Sequence, residues 1–151
     1  VRNLFKKAPI LEDDDLKLVL VQKVKDKDPQ GWGLSYIYDI HHKTRNRVVG
    51  RCDLRLGNNE TLALAGHIGY TIYVPYRGSH YAARACQLLF KQAHHLGMKE
   101  IIITCNTDNP ASYRTCELAG CSFVRKQLVP MNHVLYRQGD REKAIFIKHL
   151  D

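Results

Sequence analysis

The sequence predicts a single mixed α/β domain, with antiparallel strands at the front and a central β-α-β unit behind them. Three observations carry this. Residues 16–74 alternate apolar and polar positions with short polar breaks, the signature of paired strands. Residues 78–96 then switch to helical spacing. Residues 99–105 (KEIIITC) form a short apolar run suited to a strand buried on both faces. At 151 residues the chain is long enough for one real core. Its 44% hydrophobic and 25% charged residues exclude a disordered tail or a fibre.

LKLVLVQKV (16–24) alternates and reads as the first strand. KDKDPQGWG (25–33) is a polar turn with Pro29 and Gly31. LSYIYDI (34–40) is the second strand, HHKTRNR (41–47) a charged turn, and RVVGRCDLRLG (47–57) the third strand. GNNE (57–60) is turn chemistry. GHIGYTIYV (66–74) is the fourth strand, stopped by Pro75. Short connections imply antiparallel pairing throughout this part. Ala82, Ala85, Cys86, Leu89, Ala93 and Leu96 then line one face of a helix from about Gly78 to Leu96, closed by Gly97. With the strands on either side it forms a β-α-β unit, whose outer strands should run parallel through a right-handed crossover. Asn109-Pro110 starts a second helix, an Asn cap followed by proline at the first helical position, and Gly120 ends it. CSFVRKQLV (121–129) and KAIFIKHL (143–150) are the last strands.

Lys and Arg number 23 against 15 Asp and Glu, a net charge of +8. The first 32 residues hold seven basic and six acidic side chains, so the excess lies in the remainder. Such a surface attracts anions, from nucleic acid to a phosphorylated small molecule, or simply keeps the protein in solution. The five cysteines are odd in number and never spaced C-x-x-C. This points to reduced thiols, hence a cytoplasmic location, and away from zinc. Neither His41-His42 nor His94-His95 has metal-ligand spacing, so no metal is expected. No apolar run reaches the roughly 20 residues a bilayer crossing needs, so no membrane role is expected. The N-terminal stretch does not read as a secretory signal.

Chemistry concentrates in two stretches. In YVPYRGSHYAARA (73–85) a strand ends, a glycine turn follows and a helix begins. Helix-opening N–H groups lack intrahelical partners and favour negative charge, and Arg77 adds a cation. This suits a phosphate cradle, although an ordinary strand-to-helix turn has the same pattern. It is neither a Walker loop nor a dinucleotide fingerprint. In CNTDNPASYRTCELAGCSF (105–123) a strand runs into an Asn-capped helix, which places Asn106, Asn109 and Ser112 at the C-terminal edge of the sheet.

Together G-R-C-D-L-R, G-H-I-G-Y-T-I, Y-R-G-S-H-Y-A and D-N-P-A-S-Y-R-T-C-E-L-A-G, across residues 47–125, resemble the GNAT acetyltransferase superfamily. The N-x-x-S and E-x-x-G spacing is most similar to the branch with the ribosomal-protein N-terminal acetyltransferases. The resemblance implies a fourth strand splayed from the fifth, with the pantetheine arm of acetyl-CoA in the gap. It implies that Ile72, Tyr73 and Val74 bond that arm. The turn Arg77, Gly78, Ser79, His80, Tyr81 and Ala82 would hold the pyrophosphate, with Asn109 and Ser112 near the thioester. Acetyl would pass directly to a primary amine, on a small molecule or a peptide, in a ternary complex.

The sequence departs from the family at two places. His80 replaces a usual glycine of the phosphate turn, and Cys116 occupies the position where many members place a tyrosine acid. Tyr113 is almost a full turn away, so Ser112 is the candidate for steadying the leaving thiolate. For the base, His67 stands where relatives often carry Glu; its other reading is a hydrogen-bonded strand histidine. Asp53 would orient His67 or act alone, or pair with Arg51 or Arg55. Tyr36, Tyr38, Tyr70 and Tyr73 would line an acceptor cleft or cover a sheet face. A CoA-binding sensor without turnover is the alternative. Lys43, Arg45, Arg47, Arg51 and Arg55 raise a nucleic-acid reading that lacks any recognition motif. The final strand, if exposed, would pair across a homodimer.

Overall fold

The computed structural model describes residues 7–25 and 31–151. The turn expected at 25–33 therefore falls partly outside the described residues. Twelve elements would fit the alternation and helical periods above, but two short ones carry little sequence signal. In order they are β1 (Leu16–Val24), β2 (Leu34–His42), β3 (Arg47–Leu56), α1 (Glu60–Ala65), β4 (Ile68–Ile72), a single 3₁₀ turn (Val74–Tyr76) and α2 (Tyr81–His95). Then follow β5 (Glu100–Asn106), α3 (Pro110–Leu118), β6 (Ser122–Leu128), α4 (Val134–Arg137) and β7 (Glu142–His149). The six-residue α1 corrects the expectation of a plain turn after Gly57. Asn59 caps it by accepting from the Leu62 N–H, and Leu62 and Leu64 are buried beneath it.

The strands form two antiparallel sheets, ordered β1-β2-β3-β4 and β5-β7-β6. The mixed α/β fold with its fourth strand splayed from the fifth is as expected; only the parallel junction lacks a hydrogen-bonded ladder, so the strands form two sheets and not one. No ladder joins β4 to β5. They touch where the His67 N–H bonds the Ile102 carbonyl at 2.7 Å, and Thr104 Oγ1 donates to the Leu64 carbonyl at 2.6 Å just before β4. Gly66, at φ 80°, makes the approach possible, because a Cβ there would lie 3.0 Å from the Ile102 carbonyl oxygen. Beyond this contact no ladder joins the strands, and Gly69 and Tyr70 of β4 line a cleft together with Thr104, Cys105 and Asn106 of β5.

β5 is not buried on both faces as expected. Ile101, Ile103 and Cys105 are buried, and the alternate residues are half-exposed or exposed. The last strand is not a free edge either. β7 lies between β5 and β6, so it offers no edge for pairing with a second copy. The outer edge is β6, exposed along almost its whole length.

The main core forms where α2 lays Ala82, Ala85, Cys86, Leu89 and Ala93 against Leu18, Tyr38, Val49, Cys52 and Leu54 of the first sheet and Ile101, Ile103 and Phe146 of the second. Fully burying a Leu or Phe side chain contributes about 1.5–3 kcal/mol, so this shared core holds the two sheets at a fixed angle. Gly97 (φ 89°) and Gly120 (φ 88°) stop α2 and α3 as the sequence indicates. A smaller cluster of Leu64, Val129, Val134, Leu135 and Ile145 packs α1 and α4 together, with Trp32 beside it.

Candidate active site

The phosphate turn begins where β4 ends. β4 stops at Ile72, two residues short of the expected boundary, and Pro75 sits within the 3₁₀ turn. The Tyr73 N–H bonds the Val49 carbonyl of β3. Because residues alternate sides along a strand, the N–H and C=O groups of Tyr70 and Ile72 face away from β3, into the gap toward β5. The Val74 carbonyl accepts from the Arg77 N–H and the Tyr73 carbonyl from the Tyr76 N–H. Of the strand residues expected to meet a pantetheine arm, Ile72 thus faces the gap. Tyr73 donates to β3 instead, and Val74 is consumed by the turn and exposed.

Arg77 Nε donates to the Ile72 carbonyl at 2.8 Å, which fixes the guanidinium beside the strand end. Gly78 has φ 98° with open space where a Cβ would be, so nothing blocks a ligand there. His80 has φ 59°, the left-handed conformation that explains why glycine suits this position; it caps α2 without any side-chain bond. The helix, which begins at Tyr81 rather than Gly78, therefore opens with N–H groups free to receive an anion. Ser79 is exposed and does not line the cleft described next.

A cleft of about 510 Å³ runs from this turn to α3, lined by Tyr70, Ile72, Arg77, Gly78, His80, Tyr81, Ala82, Asn109 and Ser112 among others. Asn109 caps α3 by accepting from the Ser112 N–H at 3.1 Å. A second, more polar cleft of about 300 Å³ is walled by Trp32, Arg55, Ala65 of α1, Leu135 of α4, and Thr104, Cys105 and Asn106 at the end of β5. Tyr70, Asn109 and Ser112 line both clefts. The two openings meet at these three residues. Burial pushes the Tyr70 phenol up to about 12, against the opposing bonds from Ser112 and Thr115, so it stays protonated at neutral pH.

His67 lies elsewhere. It is buried, its Nδ1 accepts from the Ile102 N–H at 2.9 Å, and its Nε2 bonds the Gly57 carbonyl at 3.0 Å. These partners require a neutral ring with the proton on Nε2. Burial holds its pKa below the usual 6.5, although the Gly57 bond and Glu100 act the other way. Neither nitrogen keeps a lone pair for an amine proton, and His67 lines neither cleft. Its geometry is that of a clasp between β4 and β5. Asp53 pairs with Arg55 (Nε to Oδ2, 2.8 Å), and it is Arg55, not Asp53, that reaches the second cleft.

Of the four tyrosines, Tyr70 lines the clefts, Tyr38 is buried and Tyr73 is exposed; Tyr36 lies under Lys23. Tyr113 packs edge-on against Phe146 at 5.5 Å. Cys116 is fully buried and lines neither cleft, so it is not placed to act as an acid for a thiolate. All five cysteines are free thiols, and no metal-binding cluster occurs among the described residues. The basic run is largely paired: Lys43 with Glu12, Arg51 with Asp39 and Arg55 with Asp53.

The fold has counterparts in known proteins. The acetyltransferase (GNAT) domain model matches residues 9–122.

The chain belongs to the GNAT family.

Similar solved structures include the ribosomal-protein-S5-alanine acetyltransferase of Vibrio fischeri, with 11% identity and a TM-score of 0.65 over 93% of this chain and 96% of that one. A GNAT-family acetyltransferase of Bacillus anthracis has 19% identity and a TM-score of 0.60, over 75% of this chain and 65% of that one. A ribosomal L7/L12 α-N-protein acetyltransferase solved with coenzyme A has 18% identity and a TM-score of 0.59, over 78% and 63%. This GNAT chain thus spans less than two thirds of the last two proteins. No curated protein matches by sequence. No helix among the described residues is long and apolar enough to cross a membrane.

Thr115 and Lys143 had no distinguishing signal in the sequence, and Tyr70 stood out only as one of four strand tyrosines that would line an acceptor cleft or cover a sheet face. Tyr70 is one tyrosine in an alternating strand, and Lys143 one of many lysines. Only the meeting of β4, α3 and β7 gives them a place at the site.

Proposed function

We propose that this GNAT domain transfers acetyl from acetyl-CoA to a primary amine, with the first cleft as the cofactor site and the second as the acceptor site. The observation that carries the reading is that both clefts share Tyr70, Asn109 and Ser112. An acceptor entering one side can thus meet a thioester delivered from the other.

The residues present fit acetyl-CoA. Arg77, the unobstructed Gly78 and the N–H groups opening α2 suit a pyrophosphate. The Tyr70 and Ile72 edge of β4 suits an amide-bearing arm, and Asn109 stands beside its end. When bound, acetyl-CoA supplies a thioester carbon open to nucleophilic attack. Ser112, which lines both clefts, would be the hydroxyl placed to donate to the departing sulfur. The second cleft has no carboxylate or imidazole in its lining, so the amine's proton leaves to water. Asp53, the other candidate base, is ion-paired with Arg55 and does not line this cleft. The partner is a primary amine on a small molecule or peptide. The pairing of the basic surface leaves nucleic acid unfavoured as a partner. The chemistry suits a reduced, cytoplasmic setting, and a homodimer would have to use an edge other than β7.

The test is twofold. Acetyl-CoA should raise the melting temperature, because a ligand of the folded state stabilises it. Amines should then trigger stoichiometric thiol release. A thermal shift without thiol release across a broad amine panel would favour a CoA-binding sensor, and no shift at all would refute the cofactor assignment.

A further inference from the structure

The second cleft has a charge asymmetry. Its charged lining side chains are Arg55 and Lys143, both cationic; no lining residue is acidic. An amine acceptor brings positive charge of its own, so a diamine or an isolated lysine side chain would meet repulsion there. Building on the proposed acetyl transfer, we propose that the acceptor is a primary amine carrying a carboxylate close to the reacting nitrogen, and that Arg55 and Lys143 receive that carboxylate.

Arg55 is held ready for this. Its Nε is spent on Asp53 at 2.8 Å, and its Nη1 donates to the carbonyls of Ala65 at 3.1 Å and Gly66 at 3.2 Å. The Trp32 ring covers the guanidinium at 4.8 Å. No described residue accepts from Nη2, and no buried side-chain nitrogen is left without a partner among the described residues. Arg55 lines the cleft, and Nη2 is its donor left for a ligand there. Gly69 leaves room for this head group, since a Cβ there would collide with Arg55 Nη2 and Asp53 Oδ1. A rigid guanidinium with one face stacked and one edge free is suited to a planar carboxylate. Lys143 is itself buried, bonded to Asn106 Oδ1 at 3.1 Å and 3.6 Å from Asp140 Oδ2, with a further N–H for a ligand. Asp53 and Asp140 thus aim the cations without entering the lining.

The experiment compares matched acceptors in the thiol-release assay at saturating acetyl-CoA. Glycine is set against glycinamide, and the amidated peptide Ser-Asp-Gly against Ser-Asn-Gly; the first pair reports a free amino acid, the second an acidic peptide N-terminus. We expect kcat/KM at least tenfold higher for the carboxylate member of one pair. We expect Arg55→Gln and Lys143→Met each to cut that ratio at least threefold while leaving the acetyl-CoA thermal shift unchanged, and Arg55→Lys to restore part of it. Trp32 is the sole tryptophan of the chain, so its fluorescence gives a second readout independent of turnover. It should change saturably with the carboxylate member in the presence of coenzyme A, and not with the amide. Equal kcat/KM within both pairs, or a preference unaltered in both variants, would overturn the proposal. Saturable fluorescence without thiol release would uphold the carboxylate site and sink the transferase reading instead.

Discussion

Replacing His67 with alanine separates a clasp from a base. The substitution removes a buried ring and both of its hydrogen bonds, leaving the Ile102 N–H and the Gly57 carbonyl without side-chain partners. An unsatisfied buried group costs about 1–3 kcal/mol, so the two together imply a loss of roughly 3–5 kcal/mol. For a domain of this size, about 2–4 °C per kcal/mol, the melting temperature should fall by roughly 6–20 °C. Acetyl-CoA affinity should fall too, because the clasp sets the opening of β4 from β5. In folded, acetyl-CoA-saturated variant, kcat should stay within about threefold of wild type. Calorimetry and thiol-release kinetics on the same preparation decide the matter. An unchanged melting temperature with kcat reduced a hundredfold would refute this reasoning and restore His67 as the base.

The same residue sets a pH dependence. Its pKa is lowered in the folded protein, so between that value and 6.5 the unfolded chain binds a proton that the folded chain does not. Stability from this group is complete above 6.5 and is lost as pH falls through that window, at no more than about 1.4 kcal/mol per pH unit. Urea denaturation between pH 7 and 5 should show the slope in wild type, and His67→Ala should have a shallower one; equal slopes would contradict it. For the phosphate turn, Arg77→Ala should weaken coenzyme A about ten- to a hundredfold, the worth of a charge-assisted bond of about 1.5–3 kcal/mol. Titration calorimetry showing unchanged affinity would remove Arg77 from the cradle. Gly50→Ala should unfold the protein or destabilise it by more than ~2 kcal/mol, because the added Cβ meets the Thr71 carbonyl of the paired strand; a wild-type urea midpoint would count against the register of β3 and β4. Finally, kcat/KM should rise with pH in step with the acceptor's own amine pKa and shift when the acceptor is changed. A fixed inflection near neutrality for every acceptor would reveal a titrating base on the protein.

Much of this molecule is written in short-range patterns. The Asn109-Pro110 cap, the apolar face of α2, and the glycines that stop α2 and α3 act over four or five residues, so a linear reading recovers them. The cap of α1 is equally local, yet one turn of apolar positions after Asn59 is too short to show a period. His80 was visible as an intrusion into a glycine turn, but its accommodation at positive φ was not. What only the folded chain decides lies between residues far apart. The insertion of β7 between β5 and β6, the bond from Ile102 to His67 and the stacking of Trp32 on Arg55 all depend on non-local contacts. A histidine in a strand looks the same in sequence whether its lone pair faces solvent or a backbone N–H 35 residues away. Its chemistry is set by that partner, and the partner is supplied by packing rather than by neighbouring residues.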